Sequence, residues 1–173
     1  MKKLNKLLFT ITFLTFTTSC YKKDFRRKNQ QYTIEQFMNT TQIFGSDFSA
    51  DEKSILITSK ASGVLNAYSI NIETGEQTQL TNSSENAIIA WSYFPSDDRI
   101  IYTSDQGGNE LTHLYIKTKE GSAIDLTPDS AKASYYGWNH SKTAIYWTSN
   151  KRDPRYFDLY RTAVIGASIS EGE

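Results

Sequence analysis

Short apolar, β-branched and aromatic runs recur along the chain at a spacing of 45 residues. Residues 57–59, 102–104 and 147–149 read ITS, YTS and WTS, and a polar turn precedes each of them. A second run follows each and ends near a tyrosine, and two of the units close with Leu-Thr pairs at 80–81 and 126–127. A period of this length predicts tandem copies of one supersecondary unit.

Each unit reads as four short antiparallel strands. In the second unit we expect strands at about 87–94, 99–104, 112–118 and 123–126. Glycine accepts the positive φ angles at which a chain reverses, so Gly107, Gly108 and Gly121 predict hairpin loops between these strands. The only helix expected beyond the first 31 residues is a short one over 33–39, where Thr33 and Gln36 have the spacing of a capping box.

A four-stranded antiparallel unit of this size, repeated in tandem, is typical of a β-propeller blade. A flat β-sandwich is the alternative, but it does not explain the period. The sequence therefore predicts an all-β fold, a partial β-propeller over 32–173 with about three four-stranded antiparallel blades, preceded by a signal peptide. The predicted blades lie at about 42–81, 87–127 and 132–173. Propellers close with about 4–8 blades, so we expect an open arc, from the front of a longer protein or from a truncated product.

Charge is distributed unevenly along the chain. The 173 residues are neutral overall, yet residues 1–31 hold eight Lys/Arg against one Asp, while residues 32–173 hold eleven against eighteen Asp/Glu. Binding of nucleic acid requires a cationic surface, so the acidic body argues against a nucleic acid partner.

The first 20 residues have the pattern of an export signal. Three lysines among the first six residues precede an apolar run at 7–16, and small residues lead to the single cysteine, Cys20. This resembles a bacterial lipoprotein signal, although Thr17 stands where Leu is usual. We predict lipidation at Cys20, a linker at 21–31, and a membrane-anchored lipoprotein of the bacterial cell envelope, in the periplasm or at the cell surface. An ordinary secretory signal with an incidental cysteine is the alternative.

Candidate cofactor or metal chemistry is sparse. The acidic pairs Asp51-Glu52 and Asp97-Asp98 fall in predicted turns, where solvated carboxylates are a better interpretation than metal ligands or acid–base groups. No His/Cys cluster has zinc-ligand spacing, and no glycine-rich phosphate loop is present. We therefore expect neither a cofactor nor a metal site.

The stretch 145–161 reads IYWTSNKRDPRYFDLYR. Its two apolar runs predict the second and third strands of the third blade, with Asn150–Arg155 as the loop and Pro154 holding the turn. The loop carries three candidate interface residues, Arg152, Asp153 and Arg155. The two arginines are expected either to pair with Asp153 or Asp158, or to reach a neighbouring domain.

Several stretches resemble the N-terminal propeller of bacterial serine peptidases of the prolyl oligopeptidase family. They lie at 32–59, at 104–116 (SDQGGNELTHLYI), at 124–128 and at 148–161 (TSNKRDPRYFDLYR). The likeness is greatest to the dipeptidyl- and acylaminoacyl-peptidase branch. It implies a propeller that caps a C-terminal α/β-hydrolase domain and restricts entry to short peptides. TolB-like propellers share the blade pattern, so an envelope propeller that binds protein or glycan is the alternative.

The catalytic half of that family is not evident in this sequence. The family's nucleophile lies in Gly-x-Ser-x-Gly and is followed by Asp and His. The nearest stretch, 166–170 around Ser168, lacks the last glycine, and both histidines, His113 and His140, lie before it. We expect no catalytic residue in this chain, no activity of the chain alone, and peptides or a missing catalytic domain as its partners.

Overall fold

The computed structural model describes residues 29–165 and 168–169. The chain divides into two compact units, residues 1–39 and 40–173. The described part of the first unit contains helix α1, Ile34–Met38. The predicted capping box is confirmed, because the Thr33 hydroxyl accepts from the Gln36 N–H and the Gln36 side chain accepts from the Thr33 N–H. No helix among these residues has the length and apolar character needed to cross a bilayer.

The second unit consists of three antiparallel sheets, each of four strands taken in chain order. The first sheet contains β1 Ile43–Phe48, β2 Ser54–Ser59, β3 Asn66–Asn71 and β4 Gln77–Gln79. The middle sheet contains β5 Ile88–Phe94, β6 Asp97–Ser104, β7 His113–Lys117 and β8 Ala123–Asp125. The third sheet contains β9 Ala133–Trp138, β10 Ala144–Asp153, β11 Tyr156–Ile165 and β12 Ser168–Ile169.

This arrangement confirms the predicted fold class, a partial β-propeller of three four-stranded blades. The signal peptide that forms part of the same prediction lies outside the described residues. Two predicted turns are shorter than expected. Asp97 pairs with Phe94 within the sheet, and β10 continues to Asp153 through an irregularity that begins after Ser149. The predicted loop from Asn150 to Arg155 is therefore reduced to the two-residue turn Pro154-Arg155.

The apolar core lies at the two junctions between sheets. Between the first and middle sheets, Leu56 and Ala67 pack against a group on the middle sheet that comprises Ile88, Ala90, Tyr93, Ile100 and Tyr102. Between the middle and third sheets, four side chains of the middle sheet, Phe94, Ile101, Leu114 and Ile116, pack against Ala133, Ile145 and Trp147. Both faces of the middle sheet are thus covered, which explains why its strands are apolar on both sides.

The Leu-Thr pairs that close two units have a clear structural role. The Thr81 hydroxyl accepts the Ala67 N–H at 2.9 Å, and the Thr127 hydroxyl accepts the Leu114 N–H at 3.0 Å. Each threonine therefore extends the hydrogen bonding of the outermost strand by one position. The leucines of the two pairs also contribute to packing: Leu80 packs against the first core and Leu126 against the second.

Candidate functional site

One end of the three sheets collects the connections that carry the family-like motifs. Because antiparallel strands alternate in direction, the loops between second and third strands and the two crossovers between sheets emerge at the same end. We call this the crossover end; its segments are 60–65, 80–87, 105–112, 126–132 and 154–155. Buried Asn66 ties the first crossover down, since its side chain contacts the Ser83 backbone with both its oxygen (2.8 Å) and its nitrogen (2.9 Å).

The β10–β11 hairpin carries the three candidate interface residues. The Arg152 guanidinium donates to both oxygens of Asp158, at 2.6 and 2.9 Å, and that of Arg155 donates to both oxygens of Asp153, at 3.0 and 2.7 Å. The two arginine side chains are 62% and 77% exposed. The structure thus shows the pairing alternative of the sequence analysis. The role of these residues as an interface remains a prediction.

The ion pairs lower the pKa values of the two aspartates, while the arginine side chains stay exposed to solvent. The hydrogen bond from Arg155 lowers the pKa of Asp153, and the hydrogen bond from Arg152 lowers the pKa of Asp158. The Lys151 ammonium lies 4.2 Å from the centre of the Tyr160 ring, which is itself stacked on Trp147. A ligand or domain that binds here meets two exposed guanidinium groups, each already paired with an aspartate.

A second feature of the crossover end is a cavity of about 260 Å³ between the first crossover and the middle sheet. Polar groups from the segments 80–87 and 105–112 line it, together with two tyrosine rings and one isoleucine from the middle sheet. The lining residues are Ser83, Asn86, Ile88, Tyr102, Ser104, Asp105, Gln106 and Tyr115. The Gly107 N–H, in the Gly-Gly-Asn-Glu motif, donates to Asn86 Oδ1 at 2.9 Å and joins the two loops.

The tyrosines of the cavity are held neutral at physiological pH. Burial, followed by the nearby charge of Tyr115 and of Asp125, raises the pKa of Tyr102 to about 12. Burial also raises the pKa of Tyr115, whose ring is stacked on Tyr102 at 5.2 Å. Their hydroxyl groups can therefore serve as hydrogen-bond donors, while Asp105 and Gln106 supply acceptors. This pattern suits recognition of a polar ligand and provides no nucleophile activated by a base.

The histidines have structural surroundings. His113 Nδ1 lies 2.8 Å from Asp125 Oδ2, and its ring stacks on Tyr115. Among the side chains described up to residue 164, no serine hydroxyl is hydrogen-bonded to His113 or to His140. Ser168 lies in β12 and pairs with Ile165 in a sheet, rather than in a strand-to-helix turn. Among the side chains that the structure describes, which end at residue 164, no serine–histidine–acid constellation is formed.

The acidic pairs lie in turns or at strand starts. Asp51 accepts from the Ser49 hydroxyl at 2.7 Å, and hydrogen bonds from Ser49 and the Lys53 backbone lower its pKa. Burial acts to raise the pKa of Asp97, but hydrogen bonds from Arg99 outweigh it and lower the value. In the part of the chain that the structure describes, no group of three or more His, Cys, Asp or Glu could hold a metal ion.

A series of side-chain hydrogen bonds between β1, β5 and β9 was not predicted from the sequence. The Ser92 hydroxyl lies 2.7 Å from Asp47 Oδ2, and Trp138 Nε1 donates to Ser92 Oγ at 2.9 Å. One residue of β1, one of β5 and one of β9 are thereby linked across both junctions. The only available signal was the spacing of 45 and 46 residues between them. The predicted lipidation site, Cys20, lies outside the described residues.

Comparison with known proteins agrees with the motif resemblance. No family profile matches the chain. The chain is 32% identical over 120 residues to dipeptidyl aminopeptidase BIII of Pseudoxanthomonas mexicana, an alignment that covers 65% of this chain and 17% of the peptidase. This chain thus spans less than a fifth of the length of that relative.

Solved structures resemble the fold. TolB from Acinetobacter baumannii superposes with a TM-score of 0.57 at 19% identity, over 75% of this chain and 32% of TolB. A prolyl endopeptidase superposes with a TM-score of 0.54 at 13% identity, over 75% of this chain and 21% of that protein. At these identities the two structures show the fold alone. With the curated relative and the motifs at 104–116 and 148–161, they lead to one conclusion: the chain is a partial β-propeller that is similar in sequence to a dipeptidyl aminopeptidase.

Proposed function

We propose that the chain is the substrate-gating propeller portion of an exported serine peptidase, which acts with an α/β-hydrolase domain that the described residues do not contain. The observation that carries the proposal is the 32% identity to dipeptidyl aminopeptidase BIII over 120 residues. The arrangement of the histidines supports a non-catalytic role, because His113 is engaged by Asp125 and no serine hydroxyl adjoins it.

A chimera tests the gating role. The segment of dipeptidyl aminopeptidase BIII that aligns with this chain would be replaced by residues 42–161. We expect the chimera to cleave dipeptidyl p-nitroanilides and to reject folded protein substrates, because the propeller restricts access. A folded chimera that degrades casein and short peptides equally would contradict the proposal.

The full chain alone is expected to show no peptidase turnover. The measurement uses dipeptidyl and acyl-aminoacyl reporter substrates with the purified protein. Turnover by the wild type that disappears in Ser168→Ala would place a nucleophile in this chain and overturn the assignment. Turnover that persists in Ser168→Ala would indicate a contaminating peptidase, which repurification removes.

Export and anchoring form a separate part of the proposal. We propose that Cys20 carries a lipid that anchors the protein in the bacterial cell envelope. The basic residues that follow it would then lie near anionic head groups. Expression in bacteria with labelled palmitate should give a labelled, membrane-associated protein, and Cys20→Ser should abolish the label. A labelled Cys20→Ser variant, or an unlabelled wild type, would contradict lipidation.

The hairpin is the proposed contact with a neighbouring domain. Its exposed arginines lie at the crossover end, and each keeps guanidinium donors outside its ion pair. In the chimera, Arg152→Glu and Arg155→Glu are expected to raise the KM for peptides or weaken domain association, whereas Lys142→Glu, in the β9–β10 turn at the opposite end, serves as the matched control. Equal effects of all three changes would argue against a specific contact.

A further inference from the structure

Hydrogen bonds hold the walls of the crossover-end cavity in place. The Asn86 side chain accepts from the Gly107 N–H, and the Asn86 N–H donates to the Ser83 hydroxyl at 3.1 Å. The Ser104 hydroxyl donates to the Ala87 carbonyl oxygen at 2.9 Å, which fixes the first crossover to β6. These contacts arrange the polar groups of the cavity before any ligand arrives, so binding requires little further ordering of the chain.

The Tyr102 hydroxyl has no hydrogen-bond partner among the residues that the structure describes, although Tyr102 is only 7% exposed. Within the same part of the chain, Thr118 Oγ1 is the one fully buried side-chain N or O atom that lacks a partner. The Tyr102 hydroxyl therefore keeps access to solvent, and the accessible space that Tyr102 lines is the cavity. Hydroxyl groups at nearly buried positions are normally hydrogen-bonded, and a molecule in the cavity can supply the partner.

Other lining groups keep hydrogen-bonding capacity of both kinds. Asp105 Oδ2 accepts from the Glu110 N–H at 3.3 Å, and no described residue donates to Asp105 Oδ1. The Asn86 side-chain nitrogen donates to none of the described residues, and Gln106 Nε2 lies 3.4 Å from the Tyr115 hydroxyl, which makes a long and weak bond. The cavity therefore presents donors and acceptors side by side in a small space.

This mixture of donors and acceptors selects the chemical class of the ligand. An ammonium group can only donate, so it would leave the donors of Tyr102 and Asn86 without acceptors. An anion can only accept, and it would meet the carboxylate of Asp105, the one charged side chain among the lining residues. A neutral hydroxyl group both donates and accepts, so a ligand with adjacent hydroxyl groups satisfies both kinds of protein group. The volume of about 260 Å³ lies just below the range of about 300–1,000 Å³ for drug-sized ligands, which indicates a small molecule.

We propose that this cavity binds a small neutral polyhydroxylated molecule of the monosaccharide class. Adjacent hydroxyl groups of the ligand donate to the Asp105 carboxylate and accept from the Tyr102 hydroxyl and the Asn86 side-chain nitrogen. Tyr102 keeps the proton that it donates, because burial raises its pKa to about 12. All the lining residues lie within 83–115, so the site is formed by the first crossover and the middle sheet. The proposal does not depend on the proposed peptidase function.

Saturation-transfer NMR on the purified full chain tests the proposal. The neutral probes are D-glucose, D-galactose, D-mannose, N-acetyl-D-glucosamine and myo-inositol, and the charged probes are D-glucuronate and ethylammonium. We expect at least one neutral probe to bind more tightly than both charged probes, because only hydroxyl groups match donors and acceptors together. Failure of all the neutral probes to bind, or tighter binding of either charged probe, would overturn the proposal.

Two substitutions connect the binding to this cavity. Tyr102→Phe removes only the hydroxyl and should weaken binding of the tightest neutral probe about 2–10-fold. Asp105→Asn replaces a charged acceptor with a neutral group of the same shape and should weaken it about 10–100-fold. Asp105 is partly exposed, so its variant carries the test if Tyr102→Phe does not fold, which circular dichroism reports.

Tyr68→Phe and Asp129→Asn are the matched controls. Tyr68 is 5% exposed and so as buried as Tyr102, Asp129 lies in a connection at the same end of the sheets, and neither residue lines the cavity. Both controls should leave the affinity unchanged. Binding that survives either cavity substitution in folded protein unchanged, or that weakens equally in the controls, would place the ligand elsewhere and overturn the proposal.

Discussion

Two polar regions of the propeller differ in how visible they are in the sequence and in what they connect. The β10–β11 hairpin concentrates arginine and aspartate in a short stretch, yet its ion pairs join residues of one hairpin and lie in solvent. The chain through Asp47, Ser92 and Trp138 consists of one residue per sheet, and it joins all three sheets. Exposed ion pairs contribute little to stability, whereas a buried polar group that loses its partner is costly. The hairpin is therefore a surface feature, although it is easily seen in the sequence. The hydrogen bonds through Ser92 connect the sheets, although the sequence does not reveal them.

The strongest test of this comparison is Ser92→Ala. Ser92 is buried and serves Asp47 and Trp138 at once, so its loss leaves Trp138 Nε1 without its acceptor. We expect the free energy of unfolding to fall by about 1–3 kcal/mol, measured by urea denaturation. Ser141→Ala, in an exposed turn, is the control and should change it little. Equal effects of the two substitutions would show that the inter-sheet chain has no special role.

A smaller loss is expected for Tyr93→Phe. The Tyr93 hydroxyl donates to Ser69 Oγ at 2.9 Å and so links the middle sheet to the first. Removing one neutral hydrogen bond should lower the free energy of unfolding by about 0.5–1.5 kcal/mol. Tyr156→Phe, at an exposed tyrosine of the hairpin, is the matched control. A Tyr93→Phe protein as stable as this control would show that the hydroxyl contributes nothing to the junction.

The smallest effect on stability is expected for Arg152→Ala, which should leave the urea midpoint unchanged. Its effect is electrostatic instead. The pKa of Asp158 lies below its ordinary value of 3.8 because of the Arg152 hydrogen bond, so the ion pair is formed above that value and is lost as the pH falls through the lowered pKa. In Arg152→Ala the pKa of Asp158, followed by NMR, should rise towards 3.8.

Lys142→Ala controls for the removal of a distant positive charge and should leave the pKa of Asp158 where it is. A marked drop in the urea midpoint of Arg152→Ala would contradict the surface role assigned to the hairpin. An unchanged Asp158 pKa in that variant would show that the bidentate pair is absent in solution.

Sequence reasoning performed well where a repeated local pattern decides the structure. The 45-residue period predicted four strands per unit, and the helix cap at Thr33 was predicted from a spacing of three residues. It failed where local signals compete. Asp and Pro at 153–154 suggested a six-residue loop, but the strand pairing of β10 and β11 continues to Asp153 because a bulge absorbs the irregular stretch after Ser149.

The candidate site shows the same division. The arginine-rich hairpin could be identified from its composition, whereas the cavity beside the first crossover could not. Its walls come from the segment 83–88 and from 102–115, and the pairing of β5, β6 and β7 in the middle sheet brings them together. Likewise, nothing in the sequence near Ser92 indicates that Asp47 and Trp138 are its partners.

The sequence by itself determined the number of blades, the order of their strands and the closing threonines, because these follow from hydrogen bonding and side-chain alternation between residues near in the chain. The tertiary structure alone decided which apolar faces are covered and which polar groups meet. Leu114 and Leu159 occupy the same place in the repeat, yet one is buried and the other is exposed. The physical reason is that burial depends on the neighbouring sheet, which the residue's own repeat does not encode.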